Sequence, residues 1–340
     1  MINPDICHDI LVKNNQPILS FDKNANFEEY RATLKAKFTE LLGMDEIAKN
    51  ACAPEMKIVS EEVRDGCRII RFEFFSEVGE TVPCYLCIPQ TGKKKYPVAI
   101  TMQGHSTGFH NSVGIIKYDR DKDYQPRGQF ALQAVEHGYI ALAIEQRGMG
   151  ERNSPDINRS YDRPCQWHAS VALALGRTLI GERIWDIMRA IDLLDNFPEC
   201  DTDKIFITGN SGGGTISYYA ACLEDRIKLS VPSCAFCNYE RSILGVLHCF
   251  CNFIPSSYKY FEMQDLSALI APKNLVIVTG EKDTIFPIDG VKTGYETVKA
   301  VYEKADCPDK CSIVVTPKEH WWCVDLVWDA IDKETKKMGW

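Results

Sequence analysis

The sequence has little of what marks membrane proteins, exported proteins or nucleic-acid-binding proteins. No apolar run approaches the ~20 residues of a membrane-spanning helix, and the amino terminus lacks the basic segment and apolar core of an export signal. Basic residues are outnumbered, since 39 Lys and Arg face 47 Asp and Glu and the formal net charge is −8. Because binding to a phosphate backbone depends on Lys and Arg, we expect neither a membrane nor a nucleic acid as partner.

Internal repeats and low-complexity segments are also missing from the 340 residues. The hydrophobic share of 45% and the charged share of 25% are ordinary for a globular protein, and they exclude a mostly disordered or fibrous chain. A chain of this length can form one large α/β domain. We therefore expect one large domain with additions.

Cysteine, in contrast, is abundant. The 15 cysteines are an odd number and are spread along the whole chain. Such an arrangement is tolerable where thiols stay reduced and hazardous in an oxidising compartment. Together with the missing export signal, this count predicts a cytoplasmic protein.

Several cysteines are closely spaced, which raises the question of a metal site. Cys84 and Cys87 lie in a predicted strand, where residues three apart face opposite sides of the sheet. Three other pairs have no matching His or Cys pair at zinc-finger intervals: Cys234 and Cys237, Cys249 and Cys251, and Cys307 and Cys311. We therefore favour buried thiols over zinc ligands, and we expect neither a metal nor a cofactor.

Hydrophobic spacing predicts the secondary structure. Between about Asn26 and Lys49, apolar residues recur at intervals of three and four, as in an amphipathic helix. Two β-rich runs follow, CRIIRFEFFSEVG and ETVPCYLCIPQ, and the Glu/Gly turn between them favours an antiparallel hairpin. From YPVAITMQG to the closing segment VDLVWDAIDKETKKM, apolar strands alternate with helical segments.

This alternation is the pattern of a doubly wound, mostly parallel sheet with helices on both faces. The expected organisation is a helical extension over residues 1–55 and an α/β domain over residues 56–340. Three stretches do not resolve into the alternation, residues 106–129, 150–179 and 236–264. Loops at the carboxyl ends of parallel strands build the pocket of such sheets, so these stretches are candidate pocket walls.

The stretch GNSGG, residues 209–213, places Ser211 between an apolar strand and a helical segment. It fits the pattern G-x-S-x-G, in which a strained strand-to-helix turn lifts the serine hydroxyl above the sheet. The glycines would leave room for the bend and accept backbone angles that other residues avoid. Glycine-rich turns also bind phosphate, but a phosphate loop has a lysine after its last glycine, and GGGTISYY has none.

A nucleophilic serine needs a histidine base held by a carboxylate. In this layout the acid and the histidine follow the serine in that order, each just after a later strand. Asp283 follows the predicted strand NLVIVTGEK, and His320 follows CSIVVTPKE. Of the two histidines beyond Ser211, His248 precedes the acid, and Asp289 is a rival acid. Asp283 and His320 could each be structural, but their joint order favours a triad with Ser211.

Acyl transfer also needs N–H donors for the developing oxyanion. One is expected from the backbone of Gly212, and the other from the loop GHSTG after the strand YPVAITMQG. We predict the backbone N–H of His105 as the second donor, with Ser106 as the alternative. The side chains of His105 and His110 could be bases or ligands, but shaping the pocket mouth is the favoured interpretation.

These residues resemble the α/β-hydrolase family, in particular its acetyl xylan esterase-like and dienelactone hydrolase-like branch. The resemblance covers about residues 61–340 and rests on MQGHSTG, EQRGMGER, GNSGGG and KEHWW. It implies an α/β-hydrolase fold with a short insert, about residues 237–266, that covers the pocket. The sequence departs from the branch at Glu145, where Asp is usual, and at Lys273 and Asn274, where an Arg-Pro pair is common.

The resemblance implies hydrolysis of carboxylic esters, often acetyl groups on sugars, with Ser211 as nucleophile, His320 as base and Asp283 orienting the base. Dienelactone hydrolases proper use a cysteine, so the serine favours an esterase. We predict a cofactor-free serine esterase for short-chain acyl esters of sugars or other small molecules. The alternatives are a dipeptidyl-peptidase-like serine peptidase, although no propeller region or acidic pair is visible, and a non-catalytic binding protein.

The amino-terminal helix predicted between Asn26 and Lys49 has an apolar face that includes aromatic residues. We expect this face to pack either on its own domain or on a second copy of the chain.

Overall fold

Helices precede the sheet in the computed structural model of the protein, which describes residues 3–156, 158 and 164–340. They are α1 (Ile6–Asn14), α2 (Phe27–Leu42) and α3 (Met44–Ala48). The side chain of Asn26 caps α2 by accepting two backbone N–H bonds, and Gly43 ends it at a φ of 73°. The single helix predicted between Asn26 and Lys49 is therefore two helices, and α1 was not predicted.

Helix α2 packs on its own domain. Its apolar face is fully buried at Leu34, Phe38 and Leu42. The Phe38 ring lies 5.7 Å from that of Tyr219 and 5.8 Å from that of Phe261. The extension and the sheet domain thus share one core.

The described residues form one sheet of nine strands in the order β1-β2-β3-β5-β4-β6-β7-β8-β9. The strands are β1 (Met56–Arg64), β2 (Cys67–Glu77), β3 (Glu80–Pro89), β4 (Tyr96–Met102), β5 (Ile140–Ile144), β6 (Cys200–Asn210), β7 (Ile227–Ser233), β8 (Asn274–Gly280) and β9 (Cys311–Thr316). Strands β1 to β3 pair antiparallel, as do β3 and β5. All pairs from β5 and β4 to β9 are parallel. The mostly parallel sheet and the predicted hairpin, which is β2–β3, are confirmed, whereas the largely exposed β1 was not predicted.

Helices cover both faces of this sheet. They are α4 (Phe130–Glu136), α5 (Pro164–Ala174), α6 (Leu179–Asp192), α7 (Gly212–Leu223), α8 (Ser257–Tyr260), α9 (Ser267–Ile270), α10 (Ile288–Lys304) and α11 (Val324–Lys337). Cys84 belongs to the buried cluster that includes residues of α6, α7 and α10. Cys87 belongs to the cluster that includes residues of α4 and α11. The two cysteines therefore face opposite sides of the sheet, as expected. In the described part of the chain, no helix is long and apolar enough to cross a bilayer.

Candidate active site

Ser211 occupies a strained turn between β6 and α7. Its backbone angles are φ 56° and ψ −126°, in a region that costs a non-glycine residue roughly 1–3 kcal/mol. The Ser211 N–H donates to the carbonyl of Ser233 at 2.9 Å, which ties the turn to the end of β7. Such strain persists only where the surrounding structure imposes it, and it is typical of functional sites.

The glycines around Ser211 provide space rather than unusual backbone angles. A Cβ atom on Gly209 would lie 2.3 Å from the carbonyl oxygen of Met102, and one on Gly213 would lie 2.0 Å from the same oxygen. Neither glycine has a positive φ. The expectation of space is therefore confirmed, but the expectation of unusual angles at the glycines is wrong, because Ser211 itself takes the strained conformation.

Asp283 and His320 lie beyond the ends of β8 and β9, and they contact each other. Nδ1 of His320 and Oδ2 of Asp283 are 2.8 Å apart. The other carboxylate oxygen of Asp283 accepts the backbone N–H groups of Ile285 at 2.8 Å and Phe286 at 3.0 Å. The Phe286 ring stacks against the His320 ring at 5.9 Å. The imidazole is thus held from its edge and from its face.

Opposing effects act on the pKa of Asp283. Burial raises this pKa. The hydrogen bond and charge of His320, together with the two backbone N–H donors, lower it by a larger amount. The net pKa lies below the usual value of an aspartic acid. Asp283 is therefore ionised at neutral pH, and it can stabilise a positive charge on His320.

The two rivals from the sequence occupy other surroundings. Asp289 lies in the first turn of α10 and pairs with Arg241 at 2.6 Å, with 61% of its side chain exposed. His248 is near the site, with its ring 5.3 Å from that of Phe286 and its Nε2 3.0 Å from Oγ of Ser242. Burial lowers the pKa of His248. Of the two acids, only Asp283 contacts His320 in the described structure.

Ser211 and His320 open onto one small cavity of about 150 Å³. Its remaining lining comes mainly from the stretch before α4 and the loop after β4: Gln103, Gly104, His105, Ser106, Tyr124, Arg127, Gly128, Phe130 and Asn210. The guanidinium of Arg127 lies 3.7 Å from the centre of the Trp321 ring. Since His320 shares this cavity with Ser211 and contacts Asp283, the described structure brings the three predicted triad residues to one edge of the sheet.

The loop after β4 also contacts the serine turn. A Cβ atom on Gly104 would lie 3.2 Å from Cβ of Ser211 and 3.4 Å from the backbone N of Gly212. Gly212 is the first residue of α7, so the helix leaves its N–H without an intrahelical partner. His105 and Ser106, the two alternatives for the second oxyanion donor, both line the cavity.

A larger pocket of about 880 Å³ adjoins the small cavity at His105. Residues 243–253 of the predicted insert form most of its wall, together with Cys165, Gln166 and Ser170 of α5. The insert's aromatic residues divide between two roles. Phe250 and Phe253 line this pocket, whereas Phe261 is buried against α2. All three predicted wall stretches contribute lining residues, although residues 157 and 159–163 lie outside the described part of the chain.

The turn after β5 is held by buried charges. Arg147 donates to both oxygens of Asp186 at 2.8 and 2.9 Å and to Glu77 at 2.6 Å. The carboxylate of Glu145 accepts the N–H groups of Phe109 at 3.1 Å and of Glu151 at 3.2 Å. Burial raises the pKa of Glu145 to about 7. Glu145, where the similar branch usually has Asp, thus ties the turn after β5 to the loop after β4.

Comparisons with known proteins agree with this architecture. A family model described as Abhydrolase family matches residues 3–322. The Bacillus subtilis (strain 168) protein named "Putative hydrolase YtaP" is 26% identical over 244 residues, which are 71% of this chain and 78% of that protein.

Two solved structures resemble the chain over nearly its whole length. A "putative acetyl xylan esterase" from Bacteroides fragilis NCTC 9343 superposes with a TM-score of 0.80 at 18% identity, covering 98% of this chain and 95% of that chain. A glucuronoyl esterase from Solibacter usitatus gives a TM-score of 0.68 at 15% identity, covering 94% and 96%. At such identities the structures show a shared fold.

Proposed function

This chain belongs to the Abhydrolase family, and from that membership we propose that it is a serine esterase for short-chain acyl esters of sugars or other small molecules. One observation carries the proposal. The strained Ser211 opens onto the same cavity as His320, and His320 is hydrogen-bonded to the buried Asp283 at 2.8 Å. A serine, a base and an acid that orients the base are the groups that acyl transfer requires.

The reaction would proceed in two halves. Ser211 Oγ attacks the ester carbonyl while His320 Nε2 accepts the hydroxyl proton and Asp283 stabilises the resulting imidazolium. The N–H groups of Gly212 and His105 stabilise the oxyanion. His320 then gives the proton to the leaving alcohol, which leaves an acyl-enzyme. Water attacks this intermediate with the same proton transfers, and the carboxylic acid and free Ser211 are produced.

The cavity sizes support a small acyl group. The cavity at Ser211 is small, at about 150 Å³, which favours a short acyl group such as acetyl over a long chain. The adjoining pocket of about 880 Å³ lies within the usual range of ligand sites, roughly 300–1,000 Å³. We assign the acyl group to the small cavity and the alcohol part, such as a sugar, to the large pocket.

The proposal includes the organisation and location of the protein. Residues 1–55 are the helical extension, residues 56–340 the catalytic domain, and residues 237–266 the insert that covers the alcohol side of the pocket. None of the 15 cysteines, all of which lie in the described part of the chain, is in a disulfide, which supports a cytoplasmic location. Detection of the protein outside intact cells would contradict that location.

The test is hydrolysis of a chromogenic ester series from acetyl to octanoyl, beside acetylated sugars, methyl esters of uronic acids and aminoacyl amides. Wild type is compared with Ser211→Ala and with Ser217→Ala. Ser217 is a buried serine of α7 whose hydroxyl donates to the carbonyl of Gly213 at 2.7 Å. We expect activity to be highest on acetyl esters, to fall on the order of 10³-fold or more in Ser211→Ala, and to persist in Ser217→Ala.

Other outcomes would contradict specific parts of the proposal. Preference for aminoacyl amides would favour a peptidase. Preference for methyl uronates would mean that the sugar is the acid part of the ester, in place of a short acyl group. No turnover by folded wild type, with no labelling of Ser211 by a fluorophosphonate, would favour a binding protein.

A further inference from the structure

Three cysteines and one histidine converge beside the candidate active site. One ligand atom each from His105, Cys165, Cys249 and Cys251 lies within 4.8 Å of every other one. The four residues come from the loop after β4, from the start of α5 and from the insert. The His105 ring is 60 residues from Cys165 and 146 residues from Cys251 along the chain. Because these separations match no short metal-binding pattern, the sequence favoured buried thiols over ligands.

The distances fit tetrahedral coordination. With Zn–S at about 2.3 Å and Zn–N at about 2.05 Å, tetrahedral angles place a sulfur about 3.6 Å from the nitrogen. Nε2 of His105 lies 3.6 Å from Sγ of Cys165 and 3.4 Å from Sγ of Cys251. Two sulfurs of such a site would be about 3.8 Å apart, which is compatible with the 4.8 Å limit of the cluster.

A buried cation balances the charge that such a site would carry. One Zn²⁺ with three thiolates has a net charge of −1. Nη2 of Arg183 lies 3.6 Å from Sγ of Cys165, and Arg183 is only 3% exposed. The guanidinium also hydrogen-bonds Cys251 and donates to the carbonyl of Arg147 at 2.7 and 3.2 Å. Within the described ranges no carboxylate pairs with this guanidinium, so the thiolates would supply its counter-charge.

We propose that His105, Cys165, Cys249 and Cys251 bind one structural zinc ion. Three thiolates and an imidazole are a ligand set that zinc prefers, and four protein ligands leave no open position for water. The site goes beyond the proposed function, since ester hydrolysis by Ser211 requires no metal.

The ion would position the loop that carries a candidate oxyanion donor. A Cβ atom on Gly212 would lie 3.2 Å from Nδ1 of His105, so the imidazole sits between the sulfur cluster and the serine turn. Zinc on Nε2 fixes the tautomer with hydrogen on Nδ1. Through Cys249 and Cys251 the same ion would fasten the insert that walls the large pocket.

The test is the metal content of the full-length protein, purified with a reducing agent and without chelator. Plasma mass spectrometry is expected to find about one zinc per chain. The metal-free protein should bind one added equivalent of Zn²⁺, and Co²⁺ should give the intense visible bands of tetrahedral thiolate coordination. Removal of zinc by a chelator should lower the Tm by several degrees, and added Zn²⁺ should restore it.

Cysteine variants locate the site. Cys165→Ser and Cys251→Ser should each retain at most a tenth of the zinc of wild type. Cys237→Ser is the matched control, because Cys237 is a buried cysteine of the same insert outside the cluster, and it should retain the full equivalent. Circular dichroism and gel filtration check that each variant is folded, and the wild-type measurement depends on no variant.

Three results would overturn the proposal. The first is a folded wild type that contains no zinc and binds none when Zn²⁺ is added with all thiols reduced. The second is zinc that remains at wild-type level in both Cys165→Ser and Cys251→Ser. The third is a disulfide between two of these cysteines in protein from a reducing cytosol, seen by mass spectrometry, because oxidised sulfur cannot ligate zinc.

Discussion

Replacing Ser211 by glycine and by alanine separates the strain of the serine turn from its chemistry. Both substitutions remove the nucleophilic hydroxyl, so both variants should lose esterase activity on the order of 10³-fold or more. They differ in the backbone. Ser211 has φ 56° and ψ −126°, which alanine tolerates as poorly as serine does, whereas glycine adopts these angles readily.

The magnitude follows from two opposing terms. Relief of the strained conformation is worth roughly 1–3 kcal/mol, and glycine loses about 0.5–1 kcal/mol relative to alanine because its unfolded chain is more flexible. We therefore expect Ser211→Gly to exceed Ser211→Ala in free energy of unfolding by about 1 kcal/mol. With an m value of about 3 kcal/mol/M in urea, the unfolding midpoint would rise by about 0.3 M.

The assay is urea unfolding of wild type and both variants under a reducing agent, followed by tryptophan fluorescence, with esterase activity measured on the same samples. The m values must agree, since a changed m would report a changed unfolded or native state. An equal or lower midpoint for Ser211→Gly than for Ser211→Ala, at equal m, would show that the backbone at residue 211 is not strained.

Three further predictions concern the surroundings of the serine. Asp283→Asn should lower kcat on the order of 10³- to 10⁴-fold, because an amide cannot stabilise the imidazolium of His320; near-wild-type kcat, measured on the acetyl ester, would remove Asp283 from the triad. Burial raises the pKa of Asp186, but the charges of Arg147 and Arg152 outweigh burial and bring it from 3.8 to about 2. Because the pKa of Asp186 is depressed in the folded state, the stabilisation that ionised Asp186 provides is present above pH 3.8 and is lost as the pH falls through about 2. Arg147→Ala should lower the free energy of unfolding by about 3–5 kcal/mol at pH 7 and flatten its dependence on pH in that window. Acid unfolding that is the same in wild type and variant would contradict this. Leu247→Ser, at a side chain 90% exposed in the insert, should leave the free energy of unfolding within about 0.5 kcal/mol but raise KM about fivefold for esters with apolar alcohol groups; an unchanged KM across a series of alcohols would mean that the insert does not contact the substrate.

The elements that were predicted from the sequence are those whose burial leaves a local hydrophobic pattern. The alternation of strands and helices was predicted because buried strands are continuously apolar and packed helices repeat at three and four residues. Exposed elements lack that signal. Strand β1 is largely exposed along its length, and α1 buries none of its residues, so neither was predicted.

The candidate site was predictable to the same extent. The order of Ser211, Asp283 and His320, and their positions after strands, follow from consecutive residues. The choice between Asp283 and Asp289 did not, because it depends on which carboxylate reaches His320 across the edge of the sheet. The same holds for Phe250 and Phe261, which the sequence could not divide between pocket wall and core.

Hydrophobic periodicity and turn chemistry were enough to predict most elements of the sheet domain, the serine turn and the order of the triad candidates. They did not predict which side chains from distant segments lie next to one another. His105, Cys165 and Cys251 approach one another only because the loop after β4, the start of α5 and the insert fold over the same edge of the sheet. Hydrophobic periodicity indicates how a segment is buried, whereas the geometry of ligands and catalytic groups depends on how segments that are far apart along the chain pack together.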